Sequence, residues 1–155
     1  MLAVTGYQVA LAFHIVAAVI WVGGALMIQI LALFALRSPL PGRTAEFAGE
    51  AEIVGMRLFA PTSLILLGLG FYLVSSGHWG YHLWIWLALA GFAASFLTGI
   101  AFLGPESGRI KKVIQAQGPE SPEATSRIRR ILTVSRIEAL ILVLIVFDMV
   151  LKPGQ

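Results

Sequence analysis

The sequence predicts an all-α membrane protein, an up-and-down bundle of four transmembrane helices with both termini on the non-cytoplasmic side. The 155-residue chain is 58% hydrophobic and only 12% charged, whereas a soluble domain carries roughly 25% charged residues. The charges cluster and leave long apolar segments without any, as is typical of membrane proteins. Short connections after the first and second spans favour antiparallel neighbours.

The first predicted span covers residues 7–36, and beyond Gln8 at its start only His14 and Gln29 interrupt it with strongly polar side chains. About 20 apolar residues suffice to cross the hydrocarbon, so we expect this helix to tilt or protrude. The segment lacks a basic stretch at its start, and its apolar run is far longer than that of a signal peptide. We therefore expect it to be retained as a membrane span.

A cytoplasmic loop is predicted over residues 37–57, because this segment begins with prolines and a glycine and is rich in charged residues. Within it, residues 44–56 are expected to form a helical lead-in at the membrane interface. The second span is predicted over residues 58–74, directly after the boundary residue Arg57. A short turn then connects this span to the third.

The third span is predicted over residues 81–103 and is expected to stop at the Gly104-Pro105 pair. A second cytoplasmic loop follows over residues 104–133, with a centre rich in proline and glycine. The fourth span is predicted over residues 134–151. The resulting domain organisation is a single transmembrane domain that covers residues 1–155.

Two features of the last two spans bear on packing. Gly91, Ser95 and Gly99 recur every four residues, a pattern of small side chains that lets helix backbones approach closely. The fourth span begins with Arg136 and Glu138, which we expect at the headgroup level, since long charged side chains can reach from there to water. The third span is therefore predicted to supply a helix-packing face.

The basic residues predict the orientation, because cytoplasmic loops of membrane proteins carry an excess of Lys and Arg. Ten of the eleven basic residues lie in the two predicted loops or at adjacent helix ends, namely Arg37, Arg43, Arg57, Arg109, Lys111, Lys112, Arg127, Arg129, Arg130 and Arg136. Only Lys152 lies on the other side. Tryptophan and tyrosine residues cluster at the opposite, outer end of the third span, as an interfacial aromatic belt does.

We expect a reporter fused after Gln155 to be active outside the cytoplasm, and one inserted near Gly118 to be active inside it. The reason is the loop asymmetry of Lys and Arg, which sets orientation during insertion. Paired fusions to a periplasm-active and a cytoplasm-active reporter provide the measurement. The reverse pattern would overturn the predicted topology.

His14 is the strongest candidate for a functional side chain. It lies about two turns into the first span, on a helical face that it shares with Ala18, Trp21 and Ala25. Ionisable residues inside a span usually face the protein interior and mark a site, and imidazole is a common haem and metal ligand. The alternative is a buried histidine that only hydrogen-bonds a neighbouring helix. His82, near the outer end of the third span, is the second ligand candidate, although the helical wheel turns it toward the headgroups.

Three further residues are candidates for supporting roles. Asp148 in the fourth span could accept the second N–H of His14, an arrangement common around ligating histidines, or could pair with Lys152 four residues later. Tyr72 lies near the outer end of the second span, on the same side as His14. Arg57 could bind a propionate or a lipid phosphate, or could serve only as a topology anchor.

Several classes are disfavoured by the residues themselves. The chain has no cysteine, which removes disulfides and thiolate metal sites. No basic stretch interleaved with aromatics supports nucleic-acid binding, and no nucleophile elbow, phosphate loop or H-E-x-x-H motif is present. The expected partners are the lipid bilayer and other membrane subunits or further copies of the chain.

Three segments carry a family resemblance: FHIVAAVIWVGGALM, MRLFAPTSLILLGLGFYLV and SRIEALILVLIVFDMVLKPG. With LGPESGRI they resemble a family of bacterial four-helix integral membrane proteins classed as a domain of unknown function. The resemblance covers nearly the whole chain. It implies a multi-pass protein of the bacterial cytoplasmic (inner) membrane.

The first span is also similar to the copper-resistance D-type membrane domain (CopD) and to HemJ-type protoporphyrinogen oxidases, four-helix proteins thought to bind b-type haem. The HemJ resemblance implies that His14 is the haem ligand, and it extends to Trp21, Gly24, residues 56–58 and Pro61. The arginine that this family carries in span one and its lysine in span three are not matched. We therefore expect a b-type haem-binding or redox-accessory subunit without oxidase activity. The alternatives are a copper-handling protein or an assembly subunit with no cofactor.

Overall fold

The computed structural model describes residues 5–154, which are almost entirely helical: the chain is 87% helix, and no strand occurs in that range. Four long helical segments follow one another: α1, Gly6–Arg37; α2, Arg43–Ser76; α3, Leu83–Gln117; and α4, Pro122–Leu151. Short connections join them. The all-helical class predicted from the sequence is therefore confirmed for the described residues.

Each of the first three segments contains one π-helical turn. In α1 the turn is Val19–Gly23, between the α-helical parts Gly6–Ala18 and Gly24–Arg37. In α2 it is Gly55–Phe59, between Arg43–Val54 and Ala60–Ser76. In α3 it is Gly99–Leu103, between Leu83–Thr98 and Gly104–Gln117. These turns shift the helical face by a fraction of a turn, so side chains before and after them point in directions that a single helical wheel does not predict.

The expected stop at Gly104-Pro105 is not observed, because α3 continues to Gln117. Proline lacks the N–H that an α-helix needs for its i to i−4 hydrogen bond. Pro105 comes just after the π-helical turn of α3, where that bonding pattern is already interrupted, and Pro61 holds the equivalent place in α2. The helix therefore passes through each proline without breaking.

The two segments predicted as loops are largely helical. Residues 37–57 contain the helical lead-in expected from the sequence, which begins at Arg43 and runs directly into the second apolar segment. Residues 104–133 contain the end of α3 and the start of α4, separated by a short connection at residues 118–121. A helix of 35 residues, the length of α3, extends roughly 52 Å, well beyond the roughly 30 Å of hydrocarbon. The polar part, Gly104–Gln117, therefore projects from the membrane.

Three helices in the described part of the chain are long and apolar enough to cross a membrane: α1, α2 and α3. In each, only 17% of the most apolar window is buried within the protein, which leaves most of its side chains facing outward. The segment predicted as the fourth span, residues 134–151, lies in α4 and carries three charged residues, Arg136, Glu138 and Asp148. It is not among the candidate spans.

The helices pack mainly in two pairs: the part Gly6–Ala18 of α1 with the part Ala60–Ser76 of α2, and the part Leu83–Thr98 of α3 with α4. Glycines allow the closest approaches. A Cβ atom added at Gly24 would lie 2.6 Å from Cε1 of Phe59, and one added at Gly91 would lie 2.7 Å from Cγ1 of Ile145. A Cβ at Gly99 would meet nothing within 4 Å. Only the first two members of the predicted small-residue stripe, Gly91 and Ser95, therefore face α4.

The projecting helical parts form their own apolar core at the end of the molecule that carries most of the basic residues. Its buried members come from all four helices and are Ala32, Ala35, Phe47, Ile110, Ile128 and Leu132. This small core fixes the ends of the helices relative to one another, although the sequence pattern predicted mainly loops here. The burial of apolar surface stabilises this core by about 25 cal/mol per Å².

An ion-pair network tethers α3 to α4 beside this core. Glu106 is only 1% exposed, and its carboxylate accepts hydrogen bonds from Nη1 of Arg127 at 2.8 Å and Nη1 of Arg109 at 3.3 Å. Burial by itself raises the pKa of Glu106, but the hydrogen bonds and positive charges of the two arginines outweigh it and lower the pKa. Arg127 also donates through Nε to Glu123 at 3.0 Å.

Candidate functional site

His14 lies on the face of α1 that packs against α2. The start of α1 is fixed by a capping box in which Thr5 and Gln8 exchange backbone and side-chain hydrogen bonds. From there Ala10, His14 and Ala17 follow at helical spacing, and both alanines are buried. The first span thereby holds the half-buried His14 ring against the second.

Nδ1 of His14 lies 3.1 Å from the carbonyl oxygen of Leu66 in α2. A carbonyl oxygen only accepts hydrogen bonds, so Nδ1 must carry the proton and donate. In the neutral imidazole this leaves the lone pair on Nε2, which has no hydrogen bond to residues 5–154. Gly70 makes room for the ring, since a Cβ added there would lie 3.3 Å from Cε1 of His14. Metal-ligating histidines commonly donate their other ring N–H in this way, and so does a buried histidine that only joins two helices.

Trp21 lies two turns further along α1, in its π-helical turn, and is buried. Its ring meets Phe92 of α3 edge to face, with centroids 5.4 Å apart and planes at 67°. This is a favourable aromatic arrangement. Trp21 therefore packs α1 against α3, two helical turns further from the N-terminus than His14.

His82 stands at the N-terminal cap of the α-helical part Leu83–Thr98 and is half-buried. Its ring folds back on the connection between α2 and α3, because a Cβ added at Gly80 would lie 3.3 Å from Nε2 of His82. His14, by contrast, packs on Leu66 and Gly70. The rings of His14 and His82 therefore contact different residues.

The aromatic residues at this end of the molecule surround a lysine. Trp79 and Trp84 meet edge to face with centroids 6.0 Å apart, and Nζ of Lys152 lies 4.2 Å from the Trp79 centroid and 5.5 Å from that of Trp84. Such cation–π contacts stabilise an ammonium group next to an aromatic ring. Nε1 of Trp79 donates to the hydroxyl of Tyr7 at 3.3 Å, which ties the α2–α3 connection to α1.

Asp148 has both carboxylate oxygens buried without a hydrogen-bond partner in residues 5–154, and the nearby helix α3 holds a second such group, Nε1 of Trp84. The proposed pair with Lys152 is not formed in this range, because the ammonium lies over the tryptophans instead. Nor is Asp148 the partner of Nδ1 of His14, a position taken by the carbonyl of Leu66. Tyr72 is exposed, and its hydroxyl lies 3.4 Å from a Cβ added at Gly6.

Arg57 is exposed in the π-helical turn of α2 and makes no ion pair with a residue in the range 5–154. Over the same range, no group of three or more His, Asp or Glu side chains is placed to hold a metal ion. Within the described residues, the candidate ligands therefore stand apart from one another.

The structure adds a polar layer that the sequence did not reveal. Oγ of Ser95 in α3 donates to Oε1 of Glu138 in α4 at 2.8 Å. One turn away on α4, Oγ of Ser135 accepts from Nε2 of Gln29 in α1 at 3.0 Å. The helices bring Glu138 to the level of Ser95, within the apolar part Leu83–Thr98 of α3. The sequence signal for this polar contact was Ser95 itself, a polar member of the small-residue stripe.

Long outward-facing apolar helices with polar groups turned toward one another define an integral membrane protein. The chain matches the model of one protein family over residues 8–153. It belongs to that family, which is described as "Predicted integral membrane protein (DUF2269)". Comparison with curated proteins gave no match. Comparison with solved structures gave none either.

Proposed function

We propose that this protein is a four-span protein of the bacterial cytoplasmic membrane that binds b-type haem through Nε2 of His14 and serves as a redox-accessory subunit of a membrane complex. The observation that carries this proposal is the 3.1 Å contact between Nδ1 of His14 and the Leu66 carbonyl. This contact fixes the tautomer that leaves Nε2 free to ligate iron.

The surroundings of His14 fit a flat apolar macrocycle. The ring is half-buried, glycine stands beside it at position 70, and the neighbouring positions of α1 expose large apolar side chains such as Phe13 and Ile15. Such a surface accepts a porphyrin at the edge of the protein, in contact with lipid or with a neighbouring subunit. Bound haem would supply one-electron transfer. His82, whose ring lies against Gly80, is the other candidate imidazole and is left unligated in this proposal, and Arg57 is the candidate partner of a propionate.

A visible absorption spectrum of the purified protein tests the proposal. We expect a Soret band and split α and β bands on reduction in the wild type, and loss of these bands in His14→Ala. The matched control is His82→Ala, which removes the other candidate imidazole and should retain the chromophore. Circular dichroism checks that both variants keep their helices.

Three outcomes separate the alternatives. Equal loss of haem in both variants means that two histidines ligate the iron, and then the sequence-based preference for His14 alone is wrong. Copper without haem bands supports a copper-handling protein. The proposal is refuted if wild-type protein purified from haem-replete membranes contains neither haem nor copper. An assembly role then remains.

A further inference from the structure

A groove of about 610 Å³ lies where the connection between α1 and α2 faces the first half of α4. Leu36, Ser38 and Leu40 contribute to one wall. The other wall belongs to α4, which presents the apolar side chains Ile128 and Leu132. The groove therefore has apolar side chains on both walls between hydroxyl and charged ones, and it lies at the end of the molecule where most of the basic residues lie.

Two arginines of α4, Arg129 and Arg136, also line this groove. They are seven residues apart, so they lie on the same helical face about 10 Å from each other. Both are exposed, and neither guanidinium forms an ion pair or hydrogen bond with the rest of the described chain. Arg109 and Arg127, in contrast, both pair with Glu106. The groove thus combines apolar side chains with two positive charges that have no carboxylate partner in residues 5–154. Its lining also includes the acidic residue Glu120, which precedes Arg129 by nine residues, toward the end of the groove away from Arg136.

The helix contacts fix the depth of these two arginines. The guanidinium of Arg130 lies 5.1 Å from the centroid of the Phe102 ring, so Arg129 lies level with the end of the apolar part of α3. Arg136 follows Ser135, which bonds Gln29, eight residues inside the end of α1 at Arg37. Eight helical residues correspond to about 12 Å. With the membrane border taken at the ends of the apolar parts of α1 and α3, Arg129 lies at this border and Arg136 lies about 10 Å to its apolar side, where an uncompensated arginine is costly.

We propose that this groove binds the headgroup of one anionic phospholipid, with its phosphate between Arg129 and Arg136. Its acyl chains lie along the exposed apolar side chains of α4 that follow Arg136, such as Ile137 and Leu140. Guanidinium groups bind phosphate oxygens through paired, charge-assisted hydrogen bonds. Hydroxyl groups of Ser38, Thr44 and Thr133 border the same groove and suit the polar headgroup. A soluble phosphate ion would gain nothing from the apolar walls or from the depth of Arg136. This site is separate from His14 and does not depend on haem.

The test uses the intact protein reconstituted in nanodiscs of phosphatidylcholine, with or without phosphatidylglycerol. Native mass spectrometry after release counts the retained lipid, and thermal unfolding measures the stabilisation that binding gives. We expect one retained phosphatidylglycerol and a raised Tm in the wild type. The double variant Arg129→Ala/Arg136→Ala should bind it about 30-fold more weakly, since two basic contacts to an anionic headgroup are removed.

The matched control is Lys111→Ala/Lys112→Ala, which removes the same charge from exposed positions of α3 outside the groove and should bind like the wild type. Unfolding in phosphatidylcholine alone checks that both double variants fold. An equal loss of phosphatidylglycerol binding in both double variants would indicate only a general effect of surface charge and would overturn the proposed site. The proposed site would also be overturned if phosphatidylcholine were retained as well as phosphatidylglycerol, or if inorganic phosphate displaced the phosphatidylglycerol completely.

Discussion

Replacement of Gly91 by leucine is expected to lower the stability of the protein by separating α3 from α4. A Cβ atom at this position would lie 2.7 Å from Cγ1 and 2.9 Å from Cδ1 of Ile145. No real Cβ occupies such a space, so α3 must move away from α4 or Ile145 must leave its position. Overpacking of this kind costs about 1–3 kcal/mol, and more where a helix must shift.

The measurement is thermal unfolding in detergent followed by circular dichroism. Gly99→Leu is the matched control, because it introduces the same side chain on the same helix at a position where a Cβ meets nothing within 4 Å. We expect Gly99→Leu to unfold close to the wild type. A similar loss in both variants would mean that glycine is required for the helix itself and not for the approach of α4.

Glu106→Gln is expected to loosen the attachment of the projecting part of α3 to α4. The buried carboxylate accepts from Arg127 and Arg109, and the amide removes the charge that strengthens both hydrogen bonds. The expected loss is roughly 1–3 kcal/mol, toward the lower end because the side chain of Arg109 is 64% exposed and water screens it. Thermal unfolding at neutral pH gives the magnitude.

The same substitution should change the pH dependence of stability. The two arginines hold the pKa of Glu106 below its ordinary value. The stabilisation is therefore fully present above the unfolded-state pKa, about 4.3, and is lost as pH falls through the lower, folded-state pKa. Wild-type protein should lose stability on acidification through this window, and Glu106→Gln should lose less.

Glu120→Gln is the control for this prediction, since Glu120 is exposed and makes no ion pair within residues 5–154. It should keep both the neutral stability and the acid sensitivity of the wild type. If Glu106→Gln retains the full acid sensitivity, then other carboxylates, such as Glu123 beside Arg127, account for it.

The membrane class and the all-helical fold could be predicted from sequence because they depend on local apolar runs. The glycine and proline residues that are typical of helix ends could not be interpreted in the same way. Gly104-Pro105 has the composition of a helix stop, yet the preceding π-helical turn lets α3 continue. Whether a proline ends a helix depends on the hydrogen-bond pattern of the previous turn, which composition does not reveal.

The polar contacts could be predicted only in part. The sequence identified His14 as an inward-facing residue, but its partner, the Leu66 carbonyl, is a backbone atom without a residue signature. The stripe of Gly91, Ser95 and Gly99 drifts by about 40° at each four-residue step of an α-helix. For this reason its last member points away from α4, and the wheel alone could not tell which members would be in contact.

The contact between Ser95 and Glu138 has a consequence for how the chain enters the bilayer. Taken alone, α4 is a poor substrate for the translocon, since Arg136, Glu138 and Asp148 all raise its insertion free energy. The cost of one such charge reaches about 2.5–3.5 kcal/mol at the centre of a helix and is smaller toward its ends. In the proposed four-span arrangement, α3 reaches the membrane first and offers the hydroxyl that Glu138 requires. The last two helices would then partition as one hairpin, so that the biogenesis of the final span depends on the helix synthesised before it.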